Sequence, residues 1–392
     1  PTGDLRRLFL HEVLGSFILS RMSQDKYTNW IEVNLAAVQR NIARLQQFTG
    51  KPVMAVVKAN AYGHGLIEVS RAAIDARVVR LCVARIEEAL QIRNAGIKIP
   101  LLVMGYVMPD CVEEAITNQI SVMVNSLETA RVFNEKAKIS SQFLEVHIKV
   151  DSGMHRLGLL PDEISPFISG NKELSHLHIE GIFTHFPNAD DLNDQTTVIH
   201  IKNFSNAIQE FRQGGIVPEV IHAANSATAI YYPEARFDAI RPGIAIYGLN
   251  PDVSAPLPAD FEPALTWKAK LISIKTIPAG EGIGYNYRYF TRKNEKIGVV
   301  SCGYADGLRR RLGNLALLRG KRIHQVGGMC MDQSLWQLDE VPDAKIGDEV
   351  VFVGRQGDDF IHAEDIGQLW GSNNYDVVCG LAARVPREYF YN

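Results

Sequence analysis

Short apolar runs recur at regular intervals over the first two thirds of the chain. Most of the stretches between them carry apolar residues at i, i+3 and i+4, the pattern of a helix with one buried face, as in residues 66–76 and 85–96. The second stretch ends on Gly96, which is typical of a helix C-terminus. Near-continuous apolar strands that alternate with helices are typical of parallel strands buried on both faces. The eight runs are residues 52–58, 80–86, 100–105, 120–126, 144–150, 179–186, 220–225 and 238–248.

The pattern changes near residue 263. Residues 264–277 alternate apolar and polar positions, as a half-buried strand does, and long helical stretches become scarce. Short strand-like runs then follow between Gly, Asp and Asn turns, at residues 296–304, 349–354 and 374–380.

The order of these elements predicts an α/β protein with two domains. Eight buried strands with intervening helices are typical of a (β/α)8 TIM barrel, and an open, doubly wound sheet is the alternative. We predict the barrel over residues 27–262 and a mostly β C-terminal domain over residues 263–392.

The first residues stand apart from both predicted domains. Apolar positions at helical spacing run through residues 5–17, without the small-residue cleavage site of a secretory signal. We interpret residues 1–26 as an N-terminal extension, either a docking helix or a segment added to a native chain that starts at Met22.

Composition narrows the class of protein. Of the 392 residues 46% are hydrophobic and 22% are charged, and the net charge of -3 gives no general attraction to nucleic acid or anionic membranes. No apolar run has the roughly 20 residues that a membrane span needs. The five cysteines include no CxxC pair, which favours free thiols in a reducing cytoplasm.

Polar residues follow several predicted barrel strands. The catalytic residues of such barrels lie at these C-terminal strand ends. Lys58, Lys149 and His185 each stand at such a strand end. A lysine at a strand end is either a surface side chain whose stem packs on apolar surface or a desolvated amine that can form a Schiff base. Composition and spacing leave both interpretations of Lys58 open.

The segment "AVVKANAYGHG" (55–65) resembles the alanine racemase family, and the resemblance extends from residue 29 to the C-terminus. It implies a racemase that uses pyridoxal 5'-phosphate (PLP) to interconvert L- and D-alanine for peptidoglycan, with PLP held by Lys58 as an aldimine. Further motifs match in order: "VDSGMHRLG" (150–158), "FTHF" (183–186), "HAANSA" (222–227), "IRPGIAIYGL" (240–249), "GIGYN" (282–286), "GYADG" (303–307), "CMDQ" (330–333) and "NYDVVC" (374–379).

The resemblance assigns the remaining cofactor contacts. Arg241 resembles the arginine that faces the pyridine nitrogen, where a permanently charged donor makes the ring a weak electron sink and favours a short-lived carbanion. A salt bridge from Arg241 to Asp238 or Glu234 is the structural alternative. His185 and Asn225 are expected beside the cofactor. The residues expected to bind its phosphate are Tyr62, Ser226, Gly243, Ile244 and Tyr375.

Two bases on opposite faces of the cofactor are the simplest way to racemise an amino acid. By resemblance, Lys58 abstracts the proton from the D-enantiomer and Tyr285 from the L-enantiomer. A phenol needs positive neighbours to act as a base near pH 7, and the candidates are Arg156, His185 and His222.

Tyr285 belongs to the predicted β domain. The resemblance therefore implies a head-to-tail homodimer in which Tyr285 acts in the partner's barrel. Arg156 is expected to bind the substrate carboxylate or to tune Tyr285, and Lys149 matches a position that is carbamylated in some members. The expected substrate-side residues of the β domain are Tyr304, Cys330, Met331 and Asp332.

Other activities of related proteins stay open. A serine or broad-specificity racemase would alter the tyrosine at 375 or add a membrane domain, and this chain keeps Tyr375. A non-catalytic PLP-binding protein would be a lone barrel, and a barrel-fold decarboxylase would have an acidic residue in place of Arg241. Two departures from the family pattern, His155 for glycine and Gly328 for arginine, affect the shape of the pocket wall.

Overall fold

The structure is a computed structural model that describes residues 26–392. The predicted N-terminal extension therefore lies outside the described residues, except for Lys26. The described chain divides into two compact units. The barrel unit comprises residues 34–264, 373–379 and 389–392, and the β unit comprises residues 26–33, 265–372 and 380–388. No helix among the described residues is long and apolar enough to cross a membrane.

Strands and helices are numbered here in chain order. The strands are β1 (Asn29–Asn34), β2 (Met54–Val56), β3 (Arg80–Val83), β4 (Leu101–Val103), β5 (Ser121–Val124), β6 (Leu144–Lys149), β7 (Leu177–Phe183), β8 (Val220–His222), β9 (Leu265–Ile277), β10 (Gly282–Ile283), β11 (Tyr289–Phe290), β12 (Glu295–Val300), β13 (Leu315–Leu318), β14 (Lys321–Val326), β15 (Ser334–Gln337), β16 (Glu349–Gln356), β17 (Asp359–Ile361) and β18 (Arg387–Phe390). The helices are α1 (Leu35–Thr49), α2 (Leu66–Asp75), α3 (Ile86–Asn94), α4 (Val112–Thr117), α5 (Leu127–Ile139), α6 (Pro161–Gly170), α7 (Thr196–Gln213), α8 (Ser226–Tyr231), α9 (Ala363–Leu369) and α10 (Asn374–Cys379).

The barrel unit is a closed parallel barrel. Strands β2 to β8 pair in parallel in chain order, with a helix after each strand. Residues 238–242 close the ring, because Ala239 bridges His222 of β8 while Ile240 bridges Val53 beside β2. The predicted (β/α)8 barrel is confirmed and the doubly wound alternative is wrong.

The eighth predicted strand is shorter than its apolar run. After Pro242, which has no N–H to donate to a neighbouring strand, the chain forms a 3-10 turn over Ile244–Tyr247. The N–H groups of Gly243 and Ala245 donate to the Ser226 hydroxyl instead of to a strand, at 3.1 and 3.2 Å. The prediction of a strand to residue 248 was therefore wrong in its second half.

The β unit contains a second closed sheet. Strands β9, β12, β15, β14, β13 and β16 form an antiparallel ring, which closes where β16 pairs with β9. Trp267, Trp336 and Phe352 are fully buried in its core. The ring centroid of Phe352 lies 4.7 Å from that of Trp267 and 5.8 Å from that of Trp336. This agrees with the predicted mostly β C-terminal domain.

The first described strand belongs to the β unit, although the predicted barrel boundary included it. Strand β1 pairs antiparallel with β9, with Asn29 opposite Ala269 and Val33 opposite Leu265. Trp30, Ile31 and Val33 are buried there. The sequence pattern does not reveal this pairing, because the two strands lie more than two hundred residues apart along the chain.

Residues 374–380, predicted as a strand, form helix α10 in the barrel unit instead. The side chain of Asn373 accepts the N–H of Asp376 at 3.1 Å, which satisfies a free donor of the first turn. Val377 and Val378 are buried on one side. The short apolar run favours a strand, but the capping contact of Asn373 stabilises a helix instead.

Candidate active site

Lys58 begins a tight left-handed turn at the carboxyl end of β2. Ala59, Asn60, Ala61 and Tyr62 have φ of 53, 54, 51 and 51°, a region that costs a residue other than glycine about 1–2 kcal/mol. Four consecutive residues of this kind persist only where their surroundings hold them. The motif "KANAYGHG" therefore encodes a strained turn that fixes the backbone of the lysine.

Three contacts hold this turn. The carboxylate of Glu88 accepts the N–H of Ala59 at 2.5 Å and, through its other oxygen, the N–H groups of the loop that follows β3. The side chain of Asn60 accepts the first N–H of α2, from Leu66, at 2.9 Å. Gly63 lies so close to the backbone of Val378 that an added Cβ would come within 1.9 Å of its carbonyl oxygen.

The amine of Lys58 lies in a partly buried and positively charged environment. Burial lowers its pKa below the ordinary lysine value, and Arg156 lowers it further, whereas Cys379 and Glu88 act in the opposite direction. A lysine with a lowered pKa is neutral more of the time, and the neutral amine is the form that attacks an aldehyde or accepts a proton.

The other predicted barrel residues join Lys58 in a cation cluster, which we define as Lys58, Lys149, Arg156, His185 and Arg241. Lys149 ends β6, and its Nζ lies 4.7 Å from the ring centroid of Phe183 at the end of β7. Burial lowers the pKa of Lys149 and of His185 well below their ordinary values, and the neighbouring cations act in the same direction.

Arg241 is buried in the closing segment of the barrel. Its Nη2 donates to the carbonyls of Thr184 and Ala223 at 2.5 and 3.0 Å, so the alternative salt bridge to Asp238 or Glu234 is wrong. Burial lowers the pKa of its guanidinium to about 10, which still leaves it charged at neutral pH. Its Nε is buried without a hydrogen-bond partner among the described residues, so one strong donor remains available for a bound molecule.

The backbone of Arg156 is fixed by a carboxylate. Asp151 accepts the N–H groups of Gly153, His155 and Arg156 at 2.9, 3.0 and 3.2 Å. His155 has φ of 53°, in the region that favours glycine, which explains why glycine is common at this position.

The predicted phosphate-binding residues converge on the first turn of α8. The hydroxyl of Ser226 accepts two N–H groups from the turn that begins at Gly243, and an added Cβ at Gly243 would lie 2.3 Å from the Tyr62 hydroxyl. The rings of Tyr62 and Tyr375 lie 6.0 Å apart, and burial raises the pKa of both phenols, so both stay protonated as donors. Asn225 caps α8 by accepting the N–H of Thr228, and Ile244 is buried beside Gly243.

The remaining predicted residues share one surface of the β unit, which we call the Tyr285 face. The N–H of Tyr304 donates to the carbonyl of Cys330 at 3.2 Å, and Asp332 accepts from Arg384 at 2.7 Å. Tyr285, Tyr304 and Met331 are 60, 40 and 52% exposed. The residues of the face are Tyr285, Tyr304, Cys330, Met331 and Asp332.

Two glycines set the position of Tyr285. Gly284 and Gly328 form a β-bridge, and an added Cβ at Gly328 would lie 2.4 Å from the Tyr285 carbonyl oxygen. The glycine that replaces the family's usual arginine at 328 thus lets two backbones lie in close contact. Arg288, Arg310 and Arg311 line a hollow beside Tyr285.

The sequence interpretation missed several residues of this site. Glu88 could have been found, since a glutamate three residues into a helix often turns back to the preceding N–H groups. Phe183 and Thr184 lie in the matched motif "FTHF", but no role was predicted for either. The three arginines beside Tyr285 carry no local signal, because their roles depend on what the fold places next to them.

Comparison with known proteins identifies the family. Residues 33–251 match the family described as alanine racemase, N-terminal domain, and residues 264–389 match alanine racemase, C-terminal domain. The chain belongs to the alanine racemase family. A relative named alanine racemase from Symbiobacterium thermophilum is 40% identical over 92% of this chain and 96% of its own, and one from Methanococcus maripaludis is 38% identical over 92% and 98%.

Solved structures of alanine racemase family proteins agree with this fold. The alanine racemase of Bacillus anthracis with bound L-Ala-P has a TM-score of 0.89 at 35% identity and covers 93% of this chain and 96% of its own. A histidine racemase from Leuconostoc mesenteroides has a TM-score of 0.81 at 28% identity, with 93% and 98% covered. Racemases named for different amino acids therefore share this fold.

Proposed function

We propose that this protein is a PLP-dependent alanine racemase that interconverts L- and D-alanine and so supplies D-alanine for peptidoglycan. The observation that carries the proposal is the Lys58 amine, which is fixed by a strained turn, has a lowered pKa and lies in the cation cluster. Relatives named alanine racemase that match nearly the full chain support alanine as the substrate.

The described residues fit PLP. The unpartnered Nε of Arg241 is a donor suited to an unprotonated pyridine nitrogen, and an arginine does not give up its proton to that nitrogen. Ser226, Gly243, Ile244, Tyr62 and Tyr375 would hold the phosphate, with His185 and Asn225 beside the cofactor. When bound, PLP would withdraw electrons from the amino acid's α-carbon and make its proton acidic.

The chain's own groups would move that proton. Nζ of Lys58, whose lowered pKa favours the neutral amine, would accept the proton on one face in one direction of the reaction and donate a proton on that face in the reverse direction. Arg156 would bind the substrate carboxylate through charge-assisted hydrogen bonds, which fixes the α-carbon relative to the lysine. The cations around Lys58 lower the pKa of its ammonium form, so the same amine can donate a proton as well as accept one.

We infer that the second base is Tyr285 of the partner subunit in a head-to-tail homodimer. Tyr285, Tyr287, Phe290, Tyr304 and Met331 are between 40 and 63% exposed on the β unit. Exposed aromatic residues and methionine in such number are typical of an interface. Cys330 and Asp332 would line the substrate side of the same composite site, and the protein is expected in the cytoplasm.

We also propose that Lys149 is carbamylated. Burial and the neighbouring Arg241 and Arg156 favour its neutral amine, the form that reacts with carbon dioxide. The resulting anion would offset the positive charge of the cation cluster and orient Arg156. Nuclear magnetic resonance with labelled bicarbonate tests this directly: a carbamate signal that Lys149→Arg removes supports it, and a spectrum without that signal contradicts it.

An enantiomer-exchange assay over a panel of amino acids, with and without PLP, tests the proposed function. We expect alanine to be racemised fastest, only with PLP, and without release of carbon dioxide. Faster turnover of serine would favour the serine or broad-specificity alternative. Histidine belongs in the panel because a histidine racemase has a similar structure. Cofactor binding without turnover would indicate a non-catalytic PLP-binding protein, and carbon dioxide release a decarboxylase.

A further inference from the structure

A chain of hydrogen-bonded polar side chains runs through the interior of the barrel toward the candidate active site. At its start, Arg80 of β3 pairs with Glu180 of β7, and the hydroxyl of Ser121 donates to the Glu180 carboxylate at 2.8 Å. His147 of β6 contacts the same carboxylate oxygen through Nε2 at 3.0 Å and His222 of β8 through Nδ1 at 2.8 Å. We call these five residues the polar column.

The column fixes where each proton lies. The carboxylate of Glu180 only accepts, so Nε2 of His147 carries the proton of that bond. In a neutral imidazole the other nitrogen is then bare, and Nδ1 of His147 accepts from Nε2–H of His222. By the same reasoning Nδ1 of His222 is bare.

Both imidazoles are neutral at ordinary pH. Burial lowers the pKa of His147 to about 4, although Glu180 acts in the opposite direction. Burial, and then Arg241, lowers the pKa of His222 well below its ordinary value. Burial opposes ionisation of Glu180, but hydrogen bonds from His147 and Arg80 outweigh it and lower the pKa of its carboxyl group.

The column ends beside Arg241. Arg241 donates to the carbonyl of Ala223, the residue after His222, and both side chains contact Phe183, whose ring stacks on His222 at 5.1 Å. Among the described residues, Nδ1 of His222 and Nε of Arg241 are each buried without a hydrogen-bond partner. A bare acceptor and a free donor thus lie in one buried region.

We propose that Glu180 is a positioning residue that, through His147, holds His222 as the neutral tautomer protonated at Nε2 and so keeps a bare Nδ1 acceptor beside Arg241. This assigns a role to the largely buried Arg80–Glu180 pair, which is connected to His222 through His147. The opposite tautomer would place an N–H next to a guanidinium that already has more donors than acceptors. The role of Arg241 toward the cofactor rests on the proposed function, but the tautomer does not.

Neutrality matters because the surroundings of His222 are already positive. The charged and titratable groups that act on it are His147 and Lys149 of β6, Arg80 of β3 and Arg241 of the closing segment. Glu180 offsets Arg80 at the far end of the column. An imidazolium at 222 would add a cation next to Arg241, so a fixed neutral tautomer avoids this repulsion.

Nitrogen NMR of the protein with isotope-labelled histidine rings tests the proposal without any activity measurement. The spectra are assigned with His222→Gln and His147→Phe, and they are recorded with and without PLP. We expect His222 to show a protonated Nε2 and a bare Nδ1, with no titration between about pH 5.5 and 9. His178, half-exposed and 2.5 Å from Glu145, is the internal control that must titrate. A protonated Nδ1 at His222, or its titration in this range, would overturn the proposal.

Variants of the ion pair show whether Glu180 sets the tautomer. Glu180→Gln keeps an acceptor oxygen, and we expect the His222 signals to stay unchanged. Arg80→Met with Glu180→Met removes both charges together, which a folded barrel tolerates better than one unpaired charge. In this double variant, and in His147→Phe, we expect the Nδ1 signal of His222 to shift toward the protonated position. An unchanged signal in both would contradict the role of Glu180, whereas absent racemase activity in the wild type would contradict only the proposed function.

Discussion

The carboxyl end of the barrel and the Tyr285 face of the β unit differ in the solvent exposure of their functional side chains. In the barrel, Arg241, Lys149 and His222 are buried, and burial changes the pKa of each. On the Tyr285 face the side chains are largely exposed, and tight glycine contacts fix only the backbone. In the barrel, contacts within one chain are enough to change the pKa values of the polar groups. The exposure of the Tyr285 face is instead typical of a surface that another molecule covers.

The largest expected effect is at the barrel. Lys58→Ala removes the group that we propose binds the cofactor and accepts the proton, so racemisation should fall by at least about 10³-fold and the visible cofactor absorbance should disappear. Lys51→Ala, a lysine just before the same strand, is the matched control. Retained absorbance and turnover in Lys58→Ala would contradict the assignment of the amine.

Buried histidine should make the barrel sensitive to acid. The pKa of His147 is about 4 when folded and near 6.5 when unfolded, so the unfolded chain binds more protons between these values. The free energy of unfolding should therefore rise with pH from about 4 to 6.5, by up to about 3 kcal/mol, and be lost again as pH falls.

Urea unfolding at several pH values measures this contribution. His147→Phe should flatten the dependence of stability on pH in that window. His178→Gln is the control of opposite sign, because the hydrogen bond to Glu145 raises the pKa of His178 and its contribution is lost as pH rises. Equal pH slopes in His147→Phe and the wild type would contradict the buried neutral imidazole.

The turn that carries Lys58 should weaken when its carboxylate is removed. Glu88→Ala leaves three backbone N–H groups without their acceptor, and we expect a loss of about 1–2 kcal/mol in unfolding free energy and weaker PLP binding. Glu87→Ala, at the exposed neighbouring position, should change neither quantity. Equal stability and cofactor affinity in both variants would show that Glu88 does not hold the turn.

The smallest expected effect concerns the loop before Arg156. His155→Gly relieves a left-handed φ of 53° but adds freedom to the unfolded chain, so a gain below about 1 kcal/mol in stability is expected. His155→Asn, which tolerates this φ, is the control. A clear loss of thermal stability in His155→Gly would mean that the imidazole itself makes a stabilising contact.

The sequence allowed prediction wherever a local pattern decides the structure. The apolar runs located all eight positions of the barrel wall, and the matched motifs led to Lys58 and Arg241. Local patterns failed where a residue distant in the chain or a capping side chain determines the structure. Strand β1 pairs with β9, residues 374–379 form a helix, and the segment after Pro242 turns toward Ser226. The polar column was also invisible, because its five residues come from separate strands and only closure of the barrel brings them together.

The central claim is that each active site combines Lys58 of one chain with Tyr285 of the partner subunit, and mixing two inactive variants tests it most directly. Lys58→Ala and Tyr285→Phe, with Tyr287→Phe as an active control, are purified, mixed in equal amounts and allowed to exchange subunits. In a mixed dimer one site then carries both substitutions and the other carries neither. Random exchange should therefore restore about a quarter of the wild-type activity. No recovery, in a sample where mixed dimers are demonstrated, would contradict the account.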